Sequence, residues 1–281
     1  MRKISIILIS AAVFAGSGYG AEFRFGKGSF SVESNILGTS QKIEDSITTY
    51  SLVEEHKNIF GSRLFYSYNI TYLSSSKEQK AIDLYNTAID PTPGYQPVME
   101  YELQGLDAQV DIGLDILKNE NGYLGISGLA GISLPYIKNY NSDNNNNTTT
   151  GYLPDSKTKI KTYRLGISLK TAYRIYPRIE LFGFASYAYQ TGNVKNDAWG
   201  IDSSVNGTYL TAGGEVKLYL VDRKVKLWII PLSPKLYLTL GYKYDRWTVN
   251  NVKINNLALT VREDDLTITD SYAFTGIGYS F

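Results

Sequence analysis

The chain has 281 residues with 28 Lys+Arg against 27 Asp+Glu, so no strong field of either sign marks it for nucleic acid or another polyanion. It contains no cysteine, which excludes disulfide frameworks, thiolate metal sites, thiol nucleophiles and lipidation on a cysteine. Its 24 tyrosines stand well above ordinary usage; an apolar ring with a wet hydroxyl suits an oil–water boundary, or equally a Tyr-rich binding surface.

The first elements in chain order are an address. Arg2 and Lys3 precede an apolar run from Ile4 to Phe14 and the small, flexible stretch Ala15 to Ala21, which is the order of a secretory signal peptide. The run is well under the ~20 residues a membrane-spanning helix needs. Cleavage after Gly20 fits, with Gly18 and Gly20 at the two small-residue sites and Ala21 as the adjacent alternative. Residues 1–20 are therefore expected to be removed and 21–281 to form the mature domain.

From Glu22 onward the chain alternates with period two, the signature of strands. Two segments, Glu22 to Val32 and Ile47 to Lys57, have an ambiguous phase, with a bulge expected at Gly26 or Gly28. Leu64, Tyr66, Tyr68, Ile70 and Tyr72 then share a face, as do Leu106, Ala108, Val110, Ile112, Leu114 and Ile116 against Asp107, Gln109, Asp111 and Asp115. Further strands carry Leu124 to Tyr136, Tyr163 to Tyr173, Leu181 to Tyr189, Leu210 to Leu218, Leu236 to Tyr244 and Ala273 to Phe281. That makes ten strands. Val225 to Leu232 and Asn251 to Val261 would raise the count to twelve, but Pro231, Pro234 and the asparagines argue against it. Tight turns (Lys118 to Gly122, Tyr176 to Arg178) alternate with long connections (Ser74 to Met99, Ile137 to Thr158, Gly192 to Asn206, Val249 to Thr267). Only Val221 to Pro234 is long on the side of the tight turns.

A soluble sandwich also alternates, so the aromatic positions matter. Tyr163 and Tyr173 bracket an aliphatic and threonine middle on one face; ten residues at about 3.3 Å, tilted by about 40°, cover roughly 25 Å, the apolar band of an outer-membrane barrel. Tyr72, Tyr136, Tyr163, Tyr187, Tyr189, Tyr242 and Tyr244 fall toward one rim, and Tyr173, Tyr279 and Phe281 toward the other, as two headgroup girdles would require. A sandwich core would instead bury these hydroxyls and need a partner for each.

The chain ends Phe274-Thr-Gly-Ile-Gly-Tyr-Ser-Phe281. Gly276, Tyr279 and Phe281 resemble the C-terminal assembly signal of small Gram-negative outer-membrane β-barrel proteins; Phe274 departs from it, since that family usually has a polar residue there. The resemblance implies an all-β, single antiparallel up-and-down transmembrane barrel with short periplasmic turns and long extracellular loops. It also implies export through the periplasm to the cell outer membrane, with the barrel-assembly machinery and outer-membrane lipid and lipopolysaccharide as partners.

With the aliphatic face outward, the lumen would be lined by Asp107, Gln109, Asp111, Asp115, Arg164, Lys170, Arg174, Glu180, Glu215, Lys217, Lys243 and Asp245. Charges of both signs in so narrow a space should pair, giving a network that plugs or narrows the lumen, with a solute path as the alternative. No cofactor or metal site is expected. His56, the only histidine, is placed near the periplasmic end on a solvated rim. Ten-stranded outer-membrane proteases place an Asp pair and an Asp/His pair at the extracellular rim, and this chain has no histidine there. The Ser/His arrangement of lipid-A deacylating barrels is missing too. An aspartate site around Asp111 stays open, while Glu263 to Asp265 and Asp143 to Thr150 read as a charged hairpin tip and a polar loop. The expected function is a non-enzymatic barrel, envelope-structural or a narrow pore for small solutes. The alternatives are an adhesin-like barrel binding an extracellular ligand through its loops, and a rim-sited hydrolase.

Overall fold

A computed structural model describes residues 21–36, 39–57, 59, 62–81, 98–117, 122–141, 155–198, 200–221, 225–227, 230–232, 235–252 and 264–279. The signal segment 1–20, Phe281, Glu263 and the loop around Asn144 lie outside the described residues.

The chain forms β1 (Ala21–Ile36), β2 (Thr39–His56), β3 (Leu64–Ser75), β4 (Glu78–Ala81), β5 (Val98–Asp115), β6 (Gly122–Ser133) and β7 (Tyr136–Asn141). It continues with β8 (Ser156–Tyr176), β9 (Ile179–Asn196), β10 (Ile201–Tyr219), β11 (Val225–Leu227), β12 (Ile230–Leu232), β13 (Leu236–Val252) and β14 (Asp264–Tyr279). Every pairing is antiparallel. β1 and β14, the first and last strands, are neighbours from Ala21↔Tyr279 to Ser34↔Leu266, and β3 pairs with β5 to close the circle. β4 and β7 prolong the lines of β3 and β6 along β5, so the circumference holds ten strands. Closure leaves no sheet edge, the condition for spanning hydrocarbon with strands. Among the described residues no helix is long and apolar enough to cross a membrane.

The aliphatic face points outward. Leu165 is 72% exposed, Ile167 67% and Leu240 66%, so these side chains are not folded between two sheets. Toward the loop-bearing end, the apolar phase inverts. Phe23 and Phe25 look out of β1, but Phe30 and Val32 look in; Leu238, Leu240 and Tyr242 look out of β13, but Trp247 and Val249 look in. Ile47, Leu73, Leu103, Ile160, Val194, Val205 and Ile268 do the same on other strands. The outer faces there carry Thr, Ser, Asn and Lys instead. This is the pattern of a barrel that leaves lipid and continues into water, since a wet outer face needs polar residues and an apolar one must turn inward. β8 has 21 residues; at about 3.3 Å each and about 40° of tilt it spans roughly 50 Å, twice the apolar band.

That inversion corrects several sequence-based boundaries. β1 and β2 run on to Ile36 and from Thr39, where polar sequence read as a connection. The expected long loop from Gly192 to Asn206 is mostly strand, with only residues 197–200 between β9 and β10. No bulge interrupts β1, whose register runs unbroken through Gly26 and Gly28. A Cβ on Gly26 would lie 2.7 Å from the Tyr272 ring, so that glycine makes room for an inward aromatic. The segment Val221 to Pro234 contains a separate two-stranded hairpin of β11 and β12, not an addition to the barrel.

The lipid face gives a direct test. Ile167→Arg should destabilise the folded barrel by about 2–4 kcal/mol. Asn193→Arg, on the same face beyond the apolar band, should stay within about 0.5 kcal/mol. Urea unfolding in lipid vesicles, followed by heat-modifiable gel migration, measures both; equal effects would contradict a lipid-facing Ile167.

Candidate functional site: the lumen

Strand alternation aims one side chain in two at the barrel axis, so the lumen is the place where the inward residues meet. It has three levels. At the end where β1 begins and β14 finishes lies a polar cavity of about 420 Å³, reaching Lys57, Arg174, Tyr219 and Tyr279 at the rim. Within it Arg24 lies 2.7 Å from Glu22 and 2.8 Å from Glu215, and Lys217 lies 3.3 Å from Glu215. On the facing wall Lys170 meets Asp111 at 3.0 Å, and Ser67 donates to the same carboxylate at 3.1 Å.

The middle level is a cross-barrel network. Arg164 on β8 grips Asp107 on β5 with both terminal nitrogens, at 2.6 and 2.8 Å, and donates to Ser133 on β6 at 2.7 Å. Its guanidinium lies 3.8 Å from the Tyr209 ring centre. Tyr209 donates to Asp245 at 2.7 Å, and Lys243 completes that carboxylate at 2.8 Å. Trp247 donates from Nε1 to Ser133 at 3.0 Å. β5, β6, β8, β10 and β13 are thus tied together through the axis. Bidentate, charge-assisted geometry is the form in which a buried pair offsets its desolvation.

Above this is an apolar level. Phe30, Ile47, Leu73, Leu103, Leu129, Ile160, Val194, Val205, Trp247 and Ile268 are buried in one continuous cluster, completed by Val32, Tyr101, Ile137, Ala188, Tyr209 and Val249. Every strand of the circumference contributes to it. Inward apolar side chains from every strand therefore meet in the outer half of the lumen among the described residues.

Of the charged residues placed in the lumen from sequence, Asp107, Asp111, Arg164, Lys170, Glu215, Lys243 and Asp245 are buried there. Asp115, Glu180 and Lys217 are half-buried, and Arg174 is exposed at the inner rim, 3.3 Å from Glu180. Tyr163, Tyr173, Tyr187, Tyr189 and Tyr242 stand exposed on the outer surface, while Tyr72, Tyr136, Tyr244 and Tyr279 are half-buried there. His56 ends β2 at the inner end, where the sequence placed it, and is half-buried there: it stacks on Tyr66 at 4.8 Å and shares Glu54 with the Tyr66 and Tyr68 hydroxyls. Among the described residues no three His, Asp or Glu side chains converge as metal ligands.

Sequence reasoning missed Glu22 and Arg24, whose strand phase was ambiguous, and the inward Tyr209, Trp247 and Asp270. The last three occupy the alternate positions to outward Leu210, Tyr244 and Ala273, which is the signal that would have found them. Asp270 is fully buried directly opposite Asp245, and neither of its carboxylate oxygens has a hydrogen-bond partner.

This architecture is a closed antiparallel β-barrel of the transmembrane kind, and three outer-membrane proteins are among the solved structures it is similar to. The outer membrane protease OmpT from Escherichia coli superposes with a TM-score of 0.56 at 12% identity, covering 93% of this chain and 97% of that one. The translocator domain of the autotransporter NalP from Neisseria meningitidis gives 0.43 at 12% identity, covering 100% and 97%. Ail, the attachment invasion locus protein of Yersinia pestis, gives 0.31 at 10% identity, covering 93% and 99%. At 12% identity the likeness to the protease is one of fold alone. No protein-family model and no curated protein matches the sequence.

The middle network makes two predictions. Arg164→Ala leaves Asp107 buried and unpaired and should cost about 3–5 kcal/mol, whereas the paired replacement Arg164→Met with Asp107→Leu should recover most of it. Asp270→Asn removes one of two opposed carboxylates and should be neutral or stabilising by up to about 1 kcal/mol; Asp245→Asn, which weakens the contacts with Lys243 and Tyr209, should destabilise. Unfolding midpoints of the four variants in vesicles decide both.

Proposed function

We propose that this protein is a non-enzymatic, non-conducting barrel of the outer membrane with an envelope-structural role, acting through its surface and not through its lumen. The observation that carries this reading is the apolar cluster fed by every barrel strand, stacked on the Arg164–Asp107 network. A narrow solute pore would need a continuous polar path past both. The cavity at the inner end is a pocket beneath this double seal. Catalysis inside the barrel finds little support: Asp245 and Asp270 are 2% and 1% exposed, so a substrate arriving from outside would have to displace the core. The one histidine lies at the opposite end. One structural relative is a protease, but the same fold carries unrelated activities.

A second reading, surface binding, is favoured by the strand extensions beyond the apolar band. They form a rigid platform that presents the loop-bearing end to the exterior.

Planar-bilayer recording on the folded chain tests the main proposal. The expected result is no stepwise current above the empty bilayer at physiological salt; reproducible unitary steps would overturn it in favour of a pore.

A further inference from the structure

The outer face of β8 changes character abruptly. From the inner end it presents Tyr173, Leu169, Ile167, Leu165 and Tyr163, and then Lys161, Lys159 and Lys157 in succession. All three lysines stand exposed on the outer surface. None forms an ion pair with a carboxylate among the described residues. Of the carboxylates nearby, Glu102 takes Lys138 at 3.1 Å and Asp197 takes Lys195 at 3.3 Å, while Asp155 and Asp202 stand exposed at the margin of the row. Two tyrosines hold the comb in place, since the Lys157 ammonium lies 3.8 Å from the Tyr136 ring centre and the Lys161 ammonium 5.2 Å from that of Tyr163. Such contacts fix a cation's position and leave its charge available.

The concentration of charge is local. In register with these lysines, Lys195 on β9 faces Lys159, and Lys138 on β7 faces Lys157. Elsewhere on the extensions the outer face presents Ser29, Ser31 and Glu33 on β1, Thr208 and Asn206 on β10, and Thr267 and Thr269 on β14. Elsewhere on these outer faces a lysine is met by carboxylates, as Lys42 is by Glu44 at 2.5 Å and Glu33 at 3.6 Å, whereas the three on β8 follow one another without one.

We propose that Lys157, Lys159 and Lys161 form a binding site for the phosphate groups on the headgroup of an outer-leaflet glycolipid, the lipid-A portion of lipopolysaccharide. The geometry selects a lipid over a soluble anion. Lys161 lies four residues from Leu165, which is 72% exposed; that is about 13 Å along the strand and roughly 10 Å along the membrane normal. Acyl chains lying on Leu165 and Ile167 therefore bring a headgroup, past the Tyr163 ring, to the level of the ammonium groups. Successive outward lysines are about 6.6 Å apart, so separate phosphates on one headgroup can each meet a lysine. The site depends on placement in the outer membrane and is independent of whether the lumen conducts.

The test uses the full folded chain in detergent, titrated with bisphosphorylated lipid A, with the same lipid after removal of its phosphates, and with inorganic phosphate, each read by native mass spectrometry. Bisphosphorylated lipid A is expected to bind about tenfold tighter than its dephosphorylated form, to weaken with added salt, and not to be displaced by millimolar inorganic phosphate. The K157Q/K159Q/K161Q variant should lose about tenfold in affinity, while Lys42→Gln, on β2 far around the circumference, should lose none. Equal binding of the two lipid forms by the unaltered chain overturns the proposal whether or not the triple variant folds. So does an unchanged affinity in a folded triple variant, and displacement by inorganic phosphate would replace the lipid by a free anion.

Discussion

The solvent met by the outer face of each strand governs the rest of this structure. In the lower half that solvent is hydrocarbon, so the outward positions are Leu, Ile and Tyr, and the polar residues must turn inward. In the upper half it is water, and the assignment reverses. Each long strand therefore carries two opposite amphipathic patterns in series, joined near the tyrosines that mark the interface. The charged network and the apolar cluster inside the barrel are both consequences of that switch.

Stacking the two interiors gives the lumen its character. In the membrane-spanning half, ions of opposite sign from different strands find one another, because an unpaired buried charge is costly. Arg164 does this for Asp107, Lys170 for Asp111 and Arg24 for both Glu22 and Glu215. These pairs fix which strands stand opposite one another more than they add net stability. The apolar half above supplies ordinary close packing, anchored by Trp247, which belongs to both levels through its ring and its Nε1–H.

A closed barrel of this kind leaves its exterior as the surface on which difference can be written. One fold of this sort carries many unrelated activities, and what distinguishes this chain is carried by side chains: an apolar cluster in the outer lumen, an outward Glu54 capped by His56, Tyr66 and Tyr68, and a lysine comb on β8. The last lies at a boundary where charge, aromatic rings and exposed aliphatic surface meet within a few residues.

By itself the sequence pointed to the strand class, to ten strands in preference to twelve, and to the outward direction of the aliphatic face. The strands and their connections follow from local period-two alternation and turn chemistry, and the outward face from the tyrosines that bracket the aliphatic stretches; none of these needs knowledge of neighbours. It did not determine where β1, β2, β9 and β10 stop, because beyond the membrane the apolar phase flips and the polar outer face imitates a loop. Nor could it say which carboxylate Arg164 would reach, that Tyr209 and Trp247 would cross the axis, or that Asp270 would face Asp245. Those depend on register and closure, which bring residues as far apart as Glu22 and Tyr237 within hydrogen-bond distance. Only the closed tertiary structure sets that geometry, because alternation fixes the face a side chain occupies and not the partner it meets across the barrel.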